Sequence, residues 1–226
     1  GMARLSIMAF QALHNRNTAG EPLALSGEFD ALTEAALTDA PIGGFAEGLC
    51  DGGEPPPEVG DLGGPTVAQA AWRGCEVPIE LVEGLGAQVL EVMECVAPGA
   101  LEPLTLCGGP GCVALANPPQ LEALEAQTHQ ALLALSRTLG EPVAIGGAFR
   151  DPAQAWFRFS ASRNLSCPPS GASPQQSEFV AGRAILPVDL DDETLEDAGF
   201  VPSAEGGYVY AEGRDLRRAA VYAFQQ

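Results

Sequence analysis

The chain has 226 residues, 46% of them hydrophobic, which allows a packed core and excludes global disorder. Its formal charge is −19 and all 11 basic residues are arginine, so its field repels phosphate backbones and anionic lipid surfaces; nucleic acid is not an expected partner. No run approaches the ~20 apolar residues needed for a membrane span.

In chain order, residues 3–14 carry Ile7, Phe10 and Leu13 at helical spacing, and residues 29–37 carry Phe29, Leu32 and Ala36 in the same way. A polar turn, Asn15 to Gly20, separates them. Two such helices make too small a core to stand alone and are expected to lean on the rest of the chain. Residues 41–78 are punctuated by Gly43-Gly44, Gly52-Gly53, Pro55-Pro56-Pro57 and Gly63-Gly64-Pro65. An irregular stretch of that length is either disordered or stapled; Cys50 and Cys75 bracket much of it and could supply the staple, with Trp72 as a packing anchor.

From residue 79 the pattern becomes regular. Val82, Leu85, Val89, Val92 and Val96 mark one helix face. A Gly- and Cys-rich turn follows at 107–112. Leu121, Leu124, Thr128, Leu132, Leu135 and Leu139 predict a helix over 121–139, stopped by Gly140. Pro142 to Ile145, Arg183 to Val188 and Gly207 to Ala211 read as strands, and 192–199 as a short acidic helix. The fold class is α+β, in three segments: a helical hairpin at 1–40, a Gly/Pro-rich stapled connector at 41–78, and an α+β domain at 79–226.

The six cysteines form no CxxC or zinc-ribbon spacing, and two histidines are too few for several Cys/His sites. Two or three disulfides and an oxidising compartment are the expectation; free buried thiols in a cytosolic protein are the alternative. No signal peptide is recognisable. Gly1 ahead of Met2 looks like a cloning remnant, so that weighs little against export.

Two resemblances rest on particular residues. Ala9-Phe10-Gln11, followed by Gly27, Asp30, Thr33 and Ala36-Leu37 in order, resembles the second half of the peptidoglycan-binding module of wall hydrolases. Leu121 to Leu139, then Val143 to Gln154, resembles the helix, strand and Ser-x-Tyr-Arg-x-x-x-x-Gln segment of D-Ala-D-Ala carboxypeptidases of the VanY and Hedgehog-like zinc peptidase superfamily (peptidase M15 type). Cys167 to Ser173 with Gly182-Arg183-Ala184 is similar to that family's loop into Ser-x-His-x-x-Gly-x-Ala-x-Asp. Glu205 to Tyr210 is similar to its final Asp/Glu-x-x-His. The resemblance implies a Hedgehog/D-Ala-D-Ala peptidase-like domain behind a small helical hairpin.

That family's chemistry needs two His and one Asp on zinc, an open position for water, and a carboxylate base. Here the first His position falls on Phe179, or on Gln175 in another alignment. The Asp position falls on Leu186, and the last His on Tyr208, or on Val209 with a one-residue shift. Only Glu205 still matches the base. The resemblance therefore implies a peptidase-like chain without zinc, with no metal and no cofactor expected.

His14 and His129 are the only histidines. His129 is expected as a surface residue paired with Glu125 at i, i+4 rather than as a ligand. Asp189, Asp191 and Asp192 read as a solvated turn rather than a Ca²⁺ site, with Glu193 favourable in a first helical turn. No Gly-x-Ser-x-Gly elbow and no phosphate-binding Gly-Lys loop is present, and only Arg73 near Cys75 offers a cysteine a basic neighbour. Arg150 and Gln154 survive from the family pattern. Arg150 is expected either to grip a peptide carboxylate by paired hydrogen bonds or to pair with Asp151 or a distant carboxylate. Phe149, Trp156, Phe157 and Phe159 read as core.

The candidate ligand cleft is therefore Arg150, Gln154, Ser177, Phe179, Glu205 and Tyr208, with no catalytic residue assigned. The functional expectation is a non-catalytic peptidase-like protein of the bacterial cell envelope, binding peptidoglycan or a wall-associated partner. One alternative is a non-zinc hydrolase of cell-wall peptides in the same cleft, with a buried Glu205 of raised pKa beside Tyr208. Another is a structural or interaction protein with no wall ligand, marked by a cleft filled with Phe179, Leu186 and Val209.

Overall fold

The computed structural model describes residues 2–48, 64–70, 82–116, 123–165 and 172–211. Cys50, Trp72, Cys75, Cys167 and most of the connector, on which several expectations fall, lie outside them.

α1 (Met2–Asn17) buries Ile7, Phe10 and Leu13, the stripe its spacing predicts. α2 (Ala31–Asp39) starts at an Asp30 N-cap, whose carboxylate accepts from the Thr33 amide at 2.8 Å. That cap places Phe29 just ahead of the helix. α3 (Glu83–Val96) buries Leu85, Val89, Val92 and Met93 and leaves Val96 exposed. Phe10, Leu13, Leu37, Leu85, Val89 and Met93 form one cluster with Phe149, Ala153 and Phe157, so the hairpin's apolar face is covered by α3 and by α5 (Pro152–Leu165). The connector's first turn packs closely on α3: a Cβ on Gly84 would lie 2.3 Å from the Gly43 carbonyl oxygen.

The main sheet has five strands in the order β2-β4-β5-β7-β6. These are β2 (Val113–Leu115), β4 (Val143–Gly147), β5 (Ala184–Pro187), β6 (Phe200–Pro202) and β7 (Tyr208–Tyr210). β2 and β4 are parallel and the other pairs antiparallel. A separate antiparallel pair joins β1 (Leu101–Pro103) to β3 (Ala123–Glu125). The architecture is α+β.

Alternation along the strands splits the sheet into two faces. Val113, Ile145, Ile185 and Phe200 pack with Leu132 and Leu135 of α4 (Ala126–Leu139) and with Leu195 of α6 (Asp192–Asp197). Ala184 and Val209 face the other way, with Phe179 and Leu186. The helix expected over 121–139 starts later, at Ala126. Leu124 and Glu125 belong instead to β3, because a short apolar run can satisfy either period and pairing with Leu101 and Glu102 decides it. α4 ends as expected, with Gly140 in the left-handed region at φ 78°.

The described cysteines are all in disulfides. Cys107 bonds Cys112 across the Gly108–Gly111 turn, and Cys95 is disulfide-bonded as well.

Candidate functional site

Three parts of the fold converge beside the second face of the sheet. The start of α5 brings Arg150, Asp151 and Gln154, a run of turns over 173–183 brings Ser177 and Phe179, and the β6–β7 turn brings Glu205. All are buried in a domain where an unpaired polar group is costly, so their partners define the site.

α5 begins Asp-Pro. Asp151 Oδ1 accepts from the amides of Ala153 (2.7 Å) and Gln154 (3.1 Å), while Pro152 supplies a first-turn residue with no amide to satisfy. The other carboxylate oxygen of Asp151 is buried without a partner among the described residues. Burial pushes Asp151 up to about 7, against the pull of the two amides. Both amide atoms of Gln154, one turn on, are likewise buried and unpartnered among those residues.

Arg150 is 8% exposed, and its guanidinium carbon lies 3.5 Å from the centroid of the Phe179 ring. It makes a cation–π contact rather than the ion pair with Asp151 foreseen as one alternative, because Asp151 is turned inward to cap α5. Among the described residues no carboxylate comes within ion-pair distance of it. Burial, with help from the charge of Arg158, lowers Arg150 to about 9, and Glu205 opposes that.

Glu205 is held at both oxygens. Ser177 Oγ donates to Oε2 at 2.8 Å and the Glu178 amide donates to Oε1 at 2.7 Å. Ser177 Oγ also accepts from the Val180 amide at 3.3 Å, so the carboxylate pins the turns that carry Phe179. The carboxylate thereby ties the β6–β7 turn to the turns over 173–183.

Phe179 and Val209 form an apolar cluster with Ala184, and Leu186 packs on it. Phe179, Leu186 and Val209 are positions where the peptidase resemblance would expect ligands, in the alignment that uses Phe179 and Val209. The other options lie elsewhere. Gln175 is exposed and its side-chain oxygen accepts from the Phe29 amide at 3.2 Å, which ties the turns to the hairpin. Tyr208 pairs with Ile185 across the strands, so it points to the α4 and α6 face, where its hydroxyl donates to Asp192. That bond, with the charges of Asp192 and Glu196, raises its pKa. Of the six cleft candidates, Arg150, Gln154, Ser177, Phe179 and Glu205 are buried and Tyr208 is on the opposite face.

The expectation for His129 is corrected. It is 3% exposed and bonded to Glu102 rather than Glu125, with 2.9 Å between Nδ1 and the carboxylate. Its Nε2 accepts from the Thr105 amide at 3.1 Å, which places the proton on Nδ1. The helical i, i+4 geometry fails because Glu125 precedes α4 in β3. Asp191 caps α6 by accepting from the Thr194 amide at 2.7 Å, so the acidic turn has a structural role. Among the described residues, no three His, Cys, Asp or Glu side chains are gathered to hold a metal ion.

Comparison with family models, with curated proteins and with solved structures yields no match.

Proposed function

We propose that this chain is a non-catalytic, peptidase-like protein of the bacterial cell envelope that acts by binding peptidoglycan or a wall-associated partner. One observation carries the reading. Phe179, Leu186 and Val209, which stand at zinc-ligand positions in one alignment of the resemblance to D-Ala-D-Ala carboxypeptidases, share one apolar cluster. A metal cradle refilled with core side chains keeps the fold and loses the Lewis acid. Arg150 lies on the Phe179 ring and Glu205 bonds the neighbouring Ser177 and Glu178, which supports reading the cluster as the remnant of a substrate cleft.

The hydrolase reading finds less support, because Glu205 is clamped by Ser177 and the Glu178 amide and Tyr208 faces the other way. A second reading is an interaction protein with no wall ligand. Arg150 lying on the Phe179 ring favours it, since that contact fills the cleft from within.

Co-sedimentation with bacterial sacculi over a salt series separates the two. Pelleting at physiological salt is expected, and Arg150→Ala tests whether the cleft is responsible. A protein that stays in solution at every salt concentration removes wall binding and leaves the interaction-protein reading. Stoichiometric zinc in protein purified without chelator would overturn the non-catalytic assignment.

A further inference from the structure

β2 is an edge strand. Its inner side pairs with β4, through the Val143 amide to the Cys112 carbonyl (3.1 Å) and the Ala116 amide to the Ile145 carbonyl (2.9 Å). Its outer side is the kind of open edge that accepts another strand. Among the described residues one short segment covers it. Leu106 forms an isolated bridge with Val113, and the Val113 amide donates outward to the Thr105 carbonyl at 2.9 Å.

Two fastenings hold the turn that follows. Ser136 Oγ, on α4, accepts from the amides of Gly111 (2.8 Å) and Cys112 (3.1 Å) and donates to the Glu141 carbonyl (2.7 Å), which fixes the Cys112 end to the helix. The Cys107 end is fastened to Cys112 by the disulfide. Between them lie Gly108, Gly109, Pro110 and Gly111, with little side chain to anchor the turn. Cys107 is exposed and Cys112 is buried, so one sulfur is open to attack while the other sits at the fixed end.

We propose that the Cys107–Cys112 bond is a dithiol-sensitive latch that holds Thr105 and Leu106 over the edge of the main sheet. A thiolate of a dithiol reductant attacks Cys107 Sγ. The Cys107–Cys112 bond breaks, and its electron pair leaves on Cys112 Sγ, which takes up a proton. The reductant's second thiolate then displaces Cys107, which is protonated in turn. The reductant becomes a disulfide and the protein gains two electrons and two protons. With the latch open, Cys112 stays on Ser136 and the Thr105 amide stays on His129 Nε2, while Leu106 and the Thr105 carbonyl lose the tether on their C-terminal side and the outward amide of Val113 loses its cover. In an oxidising compartment the latch is closed. This inference is independent of wall binding.

Amide hydrogen exchange tests it, comparing the oxidised protein with dithiothreitol-treated protein and with Cys107→Ser/Cys112→Ser in non-reducing buffer, where Cys95 keeps its bond. In both open forms the Val113 amide is expected to exchange at least about tenfold faster, while the Gly111, Cys112 and Ile145 amides keep their protection. Alkylation with mass spectrometry should find Cys107 and Cys112 reduced by dithiothreitol in folded protein. Unchanged Val113 protection in the double variant overturns the latch, and so does a bond that resists dithiothreitol until the protein unfolds.

Discussion

Asp151 is the residue whose chemistry departs most from its surroundings. It caps α5 with one oxygen and leaves the other buried and unpaired. Its pKa is about 7 in the folded protein against a reference value of 3.8, so the native state holds this proton more tightly than the unfolded chain. The stabilisation from that proton is complete below pH 3.8 and is lost as the pH rises through 7. A displacement of that size corresponds to about 4 kcal/mol at 1.4 kcal/mol per pKa unit. Asp30, Asp191 and Glu102 act in the opposite sense: their hydrogen bonds lower their pKa, and their contributions fade as the pH falls. The informative quantity is therefore the difference between wild type and Asp151→Asn, which keeps an N-cap acceptor but cannot ionise. Wild type is expected to lose thermal stability relative to the variant between pH 5 and pH 8. Parallel melting-temperature profiles across that range would show that Asp151 does not titrate there.

At the scale of elements, β5 and β7 put Leu186 and Val209 on one face, and the turns clamped by Glu205 lay Phe179 over them. If that arrangement descends from a metal cradle, Phe179→His/Leu186→Asp/Val209→His should take up stoichiometric zinc, read by elemental analysis, and gain thermal stability on zinc addition. A folded triple variant that binds no zinc would sink the peptidase-like reading; Phe179→His/Val209→His is the milder form if the triple does not fold. Much of this face was legible in the sequence, since Arg183–Val188 and Gly207–Ala211 show strand composition. What was not legible follows from physical causes. The stripe of α5 is weak because Phe157, Trp156 and the alanines spread around the helix, although Asp151-Pro152 marks its start. β1, β2, β3 and β6 have three residues each, too few for a period to declare itself. Glu102 as the partner of His129 is a tertiary contact that no local spacing encodes.

Over the whole molecule, the residues of the peptidoglycan-module resemblance hold the hairpin to itself and to the body. Gln11 donates to the Glu28 carbonyl (3.1 Å) and the Thr33 hydroxyl (3.0 Å), and accepts from the Gly27 amide (3.0 Å). Gly27 sits at φ 66°, and a Cβ there would come 2.5 Å from the Arg4 carbonyl oxygen. Phe10, Ala36 and Leu37 enter the core shared with α3 and α5, and Trp156 of α5 donates to Glu34 of α2 at 2.9 Å. A hairpin that shares its only apolar face with the body cannot unfold without exposing Val89, Met93 and Phe157. The chain should therefore melt in one transition, seen alike by probes in the hairpin and in the main sheet. Gln11→Ala leaves the buried Gly27 amide without its acceptor and should cost about 1–3 kcal/mol. That loss should lower the midpoint measured at Ile7 and at Ile145 by the same amount in residue-resolved thermal unfolding. A hairpin signal that melts first, with the sheet unmoved, would show that the N-terminal segment is a separate unit resting on the body rather than part of its core.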